Sequence, residues 1–261
     1  MDTGRNGQGH VTSSPRGPGR SRPSVETVKE ANEVAAVRER YARRQVDVWR
    51  DHALNPAVLL PIQERQRAIA NLFHRLGRLD LDRLRLVEVG CGTGCNLQDF
   101  MRLGFKPEHL QGIELLPASV DRARHDLPPA VRIELGDAAG ASASFIREGS
   151  QDIVYQSTVF SSLLDDEFQV RLADRMWRWL RPGGAVLWYD FIVNNPRNPD
   201  VRGVPVGRIR QLFPRGTIRV RRLTLAPPIA RTVTKVHPVL YTVLNSCVWL
   251  RTHVLAWIEK P

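Results

Sequence analysis

The chain has 261 residues, 42% apolar and 25% charged, which suffices for one α/β domain with a full hydrophobic core and excludes a second catalytic domain. Its formal net charge of +11 suits an anionic partner, such as a phosphorylated substrate, an acidic membrane face or a nucleic acid, and equally a solvated basic face with no partner. The cysteines Cys91, Cys95 and Cys247 are odd in number with no secretory pattern ahead of them, so we expect a reducing cytoplasm and no disulfide framework.

In chain order, residues 1–24 hold twelve glycines, prolines and serines and read as a disordered tail, because they cannot bury enough surface to offset the entropy of ordering. Residues 25–80 read as N-terminal helices able to act as a lid. The first runs from Val25 to Trp49 with Val34, Val37 and Tyr41 near one stripe, and the second begins at Pro61 and carries Ile69, Leu72, Phe73 and Leu76 before Gly77. Packing within the helix is the simpler reading of Tyr41, although it could also close over a ligand.

Residues 81–261 change character. Five short apolar runs, Arg83 to Val89, Leu110 to Leu115, Val131 to Leu135, Asp152 to Gln156 and Ala185 to Ile192, read as strands. Helices fit between them at Asn96 to Leu103, Pro117 to His125, Ala141 to Glu148 and Glu167 to Leu180. Such alternation predicts a doubly wound α/β sheet, mostly parallel. A Pro- and Arg-rich loop at about 194–214 follows and is placed to cover a substrate. Next come an extended run from Thr217 to Leu225, a helix from Val236 to Leu250 and a last strand from Thr252 to Glu259, which makes seven strands, with a late antiparallel one. The uncharged stretch Val236 to Leu250 has 15 residues, too few to span a bilayer, which needs about 20, so only peripheral membrane contact is open to it. From Val201 to Pro261 there are eleven bases against one acid, Glu259.

The segment Leu86-Val-Glu-Val-Gly-Cys-Gly-Thr-Gly-Cys-Asn96 runs an apolar strand into three alternating glycines. In an open α/β sheet a nucleotide-like ligand binds at the carboxyl end of the first strand. Gly90, Gly92 and Gly94 let the backbone turn sharply and approach such a ligand. Their spacing differs from the Gly-x-Gly-x-x-Gly of pyrophosphate binders, which favours a ligand without phosphates. Glu88, two residues before the first glycine, is a natural neighbour for a cationic amino group or sulfonium. Glu114, 24 residues after Gly90, stands at a strand end where a carboxylate can accept both ribose hydroxyls. Asp137 follows the third strand, placed for an adenine amine. Each acid alone also reads as a helix cap. Cys91 and Cys95 have no second Cys or His pair nearby, so we read them as small loop residues and expect no metal.

These residues resemble the class I S-adenosylmethionine-dependent methyltransferases. The resemblance covers about Asp82 to Ile192 and implies a seven-stranded, Rossmann-like, doubly wound sheet, with S-adenosyl-L-methionine as cofactor. It implies that Glu88 and the loop Gly90 to Gly94 hold the methionine part, Glu114 the ribose, and Asp137 with Ala138 the adenine edge. Gln156 and Ser157 occupy the place lining the transferred methyl group, and Leu180-Arg-Pro-Gly-Gly184 resembles the family's turn before the fifth strand.

The acceptor is less legible. The Asn/Asp-Pro-Pro-aromatic motif of base-amine methyltransferases is missing, with Gln156-Ser-Thr-Val-Phe-Ser161 in its place. The segment Tyr189 to Arg197 is similar to bacterial methyltransferases of polysaccharide and envelope assembly, which implies O-methylation of a small-molecule or saccharide acceptor, anionic through a phosphate or linked to a lipid, at the inner face of the membrane. A hydroxyl acceptor needs a base within reach; Asp190 is the first candidate, with Tyr189, Asp165, Asp166, His125, His237 and His253 as alternatives. Two other readings stand beside this one, methylation of RNA or a ribosomal protein, and a non-catalytic cofactor-binding subunit.

Overall fold

A computed structural model describes residues 1, 3, 25–43, 49, 52–196 and 198–261. The expected tail, apart from residues 1 and 3, and the expected helical residues 44–48 lie outside the described residues. Seven strands, β1 (Leu86–Val89), β2 (Leu110–Glu114), β3 (Arg132–Leu135), β4 (Gln151–Ser157), β5 (Leu180–Phe191), β6 (Thr217–Leu225) and β7 (Arg251–Glu259), form one sheet in the order β3-β2-β1-β4-β5-β7-β6. β1 to β5 are parallel to one another, and β7 pairs antiparallel with both β5 and β6. The expected fold, mostly parallel with a late antiparallel strand, is what the chain adopts.

All four residues of β1 are buried, as for a central strand covered on both faces, and this is why Leu86, Val87 and Val89 flank a lone acid. One face is covered by α2 (Pro56–Arg75), α3 (Cys95–Leu103) and α4 (Pro117–Asp126), whose Phe73, Phe100 and Val120 pack on Tyr155, Leu187 and Trp257. The other is covered by α5 (Asp166–Trp179), α6 (Val206–Leu212) and Val37 of α1 (Val25–Arg43), around Phe160, Trp188 and Phe213. Val204, Ile209, Leu212 and Phe213 of the loop expected to cover a substrate are part of this second core.

Three elements differ from expectation. Helix α2 starts at Pro56 because Asn55 caps it, its side chain accepting from the Ala57 N–H at 3.0 Å; Pro61 lies inside the helix, in its second turn, where it supplies no N–H to the Ala57 carbonyl. The expected helix Ala141 to Glu148 is a single 3-10 stretch, Ala141–Phe145, whose two serines favour turns over helix interiors. The expected helix Val236 to Leu250 is reduced to α8 (Val239–Asn245) and a 3-10 stretch, Val248–Leu250, and an unexpected helix, α7 (Pro227–Val236), precedes it. Pro238 forces His237 into an extended conformation (φ −160°, ψ 133°), as a residue before proline requires.

This insertion packs on α2 and β6 through Leu225, Ala230, Tyr241 and Leu60. The Glu64 carboxylate of α2 fastens it, accepting from the Thr224 N–H at 3.2 Å, Tyr241 Oη at 2.8 Å and Asn245 Nδ2 at 2.8 Å. Thr224 holds a left-handed φ of 64°, a strained conformation for a β-branched residue.

The glycine in the middle of β2 is a steric requirement. A Cβ on Gly112 would lie 2.6 Å from Cys91 Sγ and 2.9 Å from Ile133 Cδ1. Gly112→Ala is therefore expected to lower stability by about 1–3 kcal/mol through overpacking, measured as a shifted urea midpoint at unchanged slope.

Candidate functional site

The carboxyl ends of β1, β2 and β4 border a cleft of about 860 Å³, including the part open to solvent. Gly90, Gly92, Glu114, Asp137, Ala138, Ser157 and Thr158 all line it. The glycine loop is held by Ile113, whose carbonyl accepts from the Gly90 N–H at 2.8 Å and the Cys91 N–H at 3.2 Å. Gly90 is at φ +64°, and a Cβ there would meet Val159 Cγ2 at 2.6 Å. Gly94 (φ +83°) is off the cleft wall and instead lets α3 close on Leu127.

Glu114 binds backbone on both sides: Gly92 N–H donates to Oε2 at 2.9 Å and Leu116 N–H to Oε1 at 3.0 Å. A carboxylate offers about four lone-pair sites, so each oxygen retains capacity toward the cleft. Asp137 Oδ1 accepts from the Ala139 N–H at 2.9 Å, which shapes the turn after β3.

Glu88 is wholly buried and faces the α2 side. Asn96 Nδ2 donates to its Oε1 at 2.6 Å, while Oε2 has no hydrogen-bond partner among the described residues. Burial pushes its carboxyl up to about 8. The Arg65 guanidinium continues the chain, donating to Asn96 Oδ1 at 2.6 Å and Ser157 Oγ at 3.1 Å and lying 5.1 Å over the Tyr189 ring. Arg65, Asn96 and Tyr155 line a second cleft of about 520 Å³ between α2 and α3. The sequence reading missed Arg65, which sits in a Gln-Glu-Arg-Gln-Arg run indistinguishable from a solvated helix face.

Gln156 is buried, its Oε1 accepting from the Val159 N–H at 3.0 Å and its Nε2 facing the Tyr189 carbonyl at 3.4 Å. Next to it, Thr158 on the cleft wall holds a left-handed φ of 59°, strain of the kind that clusters at functional sites. Asp190 is also buried and off the wall. Its carboxylate accepts from the Ser161 N–H at 3.1 Å and the Phe191 N–H at 2.9 Å, and burial raises it to about 7. Among the alternatives, the Tyr189 hydroxyl pairs with Thr224 Oγ1 at 2.8 Å, and Asp165 caps α5 through the Phe168 N–H at 2.7 Å. Asp166 pairs with Arg202. His125 and His237 are exposed. His253, stacked on Tyr189 at 5.2 Å, is pushed by burial down to about 4. None of these lines the larger cleft, and neither does any lysine or arginine.

Helix α1 borders the same cleft with Val37 and Tyr41. Arg40 donates to the Ser162 carbonyl at 2.9 Å and pairs with Glu33 at 2.8 Å, and Glu33 in turn accepts from the Leu164 N–H at 2.8 Å. The Tyr41 hydroxyl lies 3.5 Å from Ser162 Oγ, so this residue, read from sequence mainly as helix packing, forms part of the wall.

Residues 86–184 match a family model described as a methyltransferase domain. A ubiquinone biosynthesis O-methyltransferase of Xanthomonas oryzae pv. oryzae is 29% identical over 167 residues, which cover 64% of this chain and 62% of that protein. The match thus spans less than two thirds of the relative's own length. Among solved structures, a putative sarcosine dimethylglycine methyltransferase from Galdieria sulphuraria aligns with a TM-score of 0.58 at 12% identity, covering 87% of this chain and 98% of that one. A geranyl diphosphate C-methyltransferase from Streptomyces coelicolor, in complex with S-adenosyl-L-homocysteine, Mg2+ and geranyl diphosphate, aligns with a TM-score of 0.53 at 16% identity, covering 74% and 76%.

Glu88 and Asp190 both hold a proton more tightly when folded than their ordinary values of 4.5 and 3.8. The unfolded chain sheds these protons first as pH rises, so their stabilising contribution is full below about 4 and is lost as pH climbs through about 7 and 8. Urea denaturation from pH 5 to 9, values that bracket this window, should show Glu88→Gln losing less stability with rising pH than the parent; equal slopes would remove Glu88 as a cause.

Proposed function

We propose, for this member of the class I S-adenosylmethionine-dependent methyltransferases, that the protein methylates a hydroxyl oxygen of a small-molecule or saccharide acceptor. The observation that carries the cofactor part is Glu114, whose two oxygens are each anchored by one backbone N–H yet keep acceptor capacity in the lining of the cleft. That pattern fits a ribose diol. Asp137 and Ala138 fit the adenine edge, and Gly90 and Gly92 allow the backbone approach. Glu88, expected from the sequence to hold the methionine part, is wholly buried and off the cleft wall, so its part in this reading is to hold Asn96 at the start of α3 behind the glycine loop.

S-adenosyl-L-methionine supplies an electrophilic methyl group on a sulfonium, so the protein's task is mainly to align the acceptor with it. Ser157 and Thr158, fixed at the end of β4, form the wall where an acceptor would be aligned. Asp190 enters as a positioning residue: by holding the Ser161 N–H and the Phe191 N–H it joins the turn after β4 to the end of β5. The helix pair at the N-terminus acts as a lid through Val37 and Tyr41. Support for a hydroxyl acceptor comes from the O-methyltransferase relative and from the missing base-amine motif.

The test incubates the purified chain with methyl-labelled S-adenosyl-L-methionine and a bacterial extract divided into lipid and glycan, small-molecule, RNA and protein fractions. Label in either of the first two, lost in Glu114→Ala, is the expected result; label confined to RNA or protein rejects the acceptor class. In parallel, calorimetry should show Glu114→Ala binding S-adenosyl-L-homocysteine at least about 100-fold more weakly, since two hydrogen bonds to a charged acceptor contribute about 1.5–3 kcal/mol each.

A further inference from the structure

The cleft wall carries no base, so the chain's excess positive charge serves something else. Between Asp200 and Glu259 there is no acidic residue. Much of the charge in this stretch lies along one edge of the sheet: Arg219, Arg221 and Arg222 of the edge strand β6 and Lys235 of α7 are exposed. β6 runs parallel to β5 through β7, so the α7–α8 insertion that follows it stands at the same carboxyl edge as the cleft.

The outward side of this insertion is apolar. Val236 is 77% exposed, Val239 and Val243 are each 56% exposed, and Trp249 is 86% exposed. Val239 and Val243 are four residues apart on α8, one stripe, while the opposite side of the helix is occupied by Tyr241 and Leu244 packed on α2 and β6. A helix covering a soluble domain normally turns polar residues outward, and Trp249, which joins apolar area to one N–H donor, is the side chain that settles at a membrane–water boundary.

We infer that the α7–α8 insertion docks the protein on an anionic lipid bilayer, with Val236, Val239, Val243 and Trp249 entering the interface and Lys235 with the β6 arginines meeting the headgroups. The complementarity of charge selects this occupant: exposed arginines and a lysine from a stretch of chain without acids, together with exposed valines and a tryptophan, match acidic headgroups over acyl chains. The inference deepens the proposed function, on which its purpose rests, by making the acceptor a lipid-borne molecule reached from the carboxyl edge of the sheet, the edge that the insertion shares with the cleft. The docking itself needs no turnover.

The full chain would be sedimented with vesicles of phosphatidylcholine, with and without phosphatidylglycerol. Binding is expected only with phosphatidylglycerol, weakening with salt. Val239→Ser/Val243→Ser/Trp249→Ser should reduce it by at least about tenfold while circular dichroism and S-adenosyl-L-homocysteine binding stay at parent values. Lys235→Glu with Arg221→Glu should reduce it similarly. No sedimentation, equal binding of parent and triple variant, or equal binding to both vesicle types overturns the docking, as does a concentration-dependent dimer of the parent that the triple variant abolishes. Vesicle binding without any S-adenosyl-L-homocysteine binding would leave the docking standing and remove the proposed function.

Discussion

Two backbone hydrogen bonds to Glu114 hold the functional edge of this protein together. The carboxylate at the end of β2 ties the glycine loop that follows β1, through Gly92, to the turn that begins α4, through Leu116. Ile113, one residue earlier, accepts from Gly90 and Cys91. The loop is thus fixed from below by β2 before any ligand arrives, and the polar groups that strand ends would otherwise expose are satisfied. The same residue lines the cleft, so under the proposed function structural and binding roles coincide in it.

Burial sets the second constraint. Glu88 sits in the central strand with both faces of the sheet covered, and water cannot reach it. An isolated buried carboxylate is costly when charged and instead keeps its proton. Asn96, which donates to Glu88, and beyond it Arg65, whose guanidinium spans from Asn96 to Ser157, pull the other way toward the charged form, and burial outweighs them. The polar chain links α2, α3, β1 and β4 at the carboxyl edge. It also joins the two clefts, since Ser157 lines the larger and Arg65 and Asn96 the smaller.

The additions to the sheet divide between its faces. On one side α1 reaches over the turn after β4, held by the Arg40–Glu33 pair and the Ser162 carbonyl. On the other, the α7–α8 insertion is fastened to α2 by Glu64 and capped by the strained Thr224. The Pro- and Arg-rich segment after β5 belongs with the core, where Phe213 packs against Trp188 at 6.1 Å and Trp177 at 5.9 Å.

The parallel sheet, the glycine loop and the acids at the strand ends were legible along the chain, because each depends on local order: period, a strand running into glycines, and an acid at a set distance from a turn. Asn55 and Pro238 carried equally local signals that mark the true start of α2 and the break before α8. Arg65 was not legible, and Tyr41 read mainly as helix packing, because nothing in their own segments distinguishes a helix face that meets a strand end from one that meets water; the left-handed turn at Thr158 after β4 likewise leaves no mark in its sequence. The place of the late basic residues was likewise decided only in three dimensions: charge in sequence has no direction, and β7, by entering between β5 and β6, is what leaves the arginines of β6 at the sheet's outer edge.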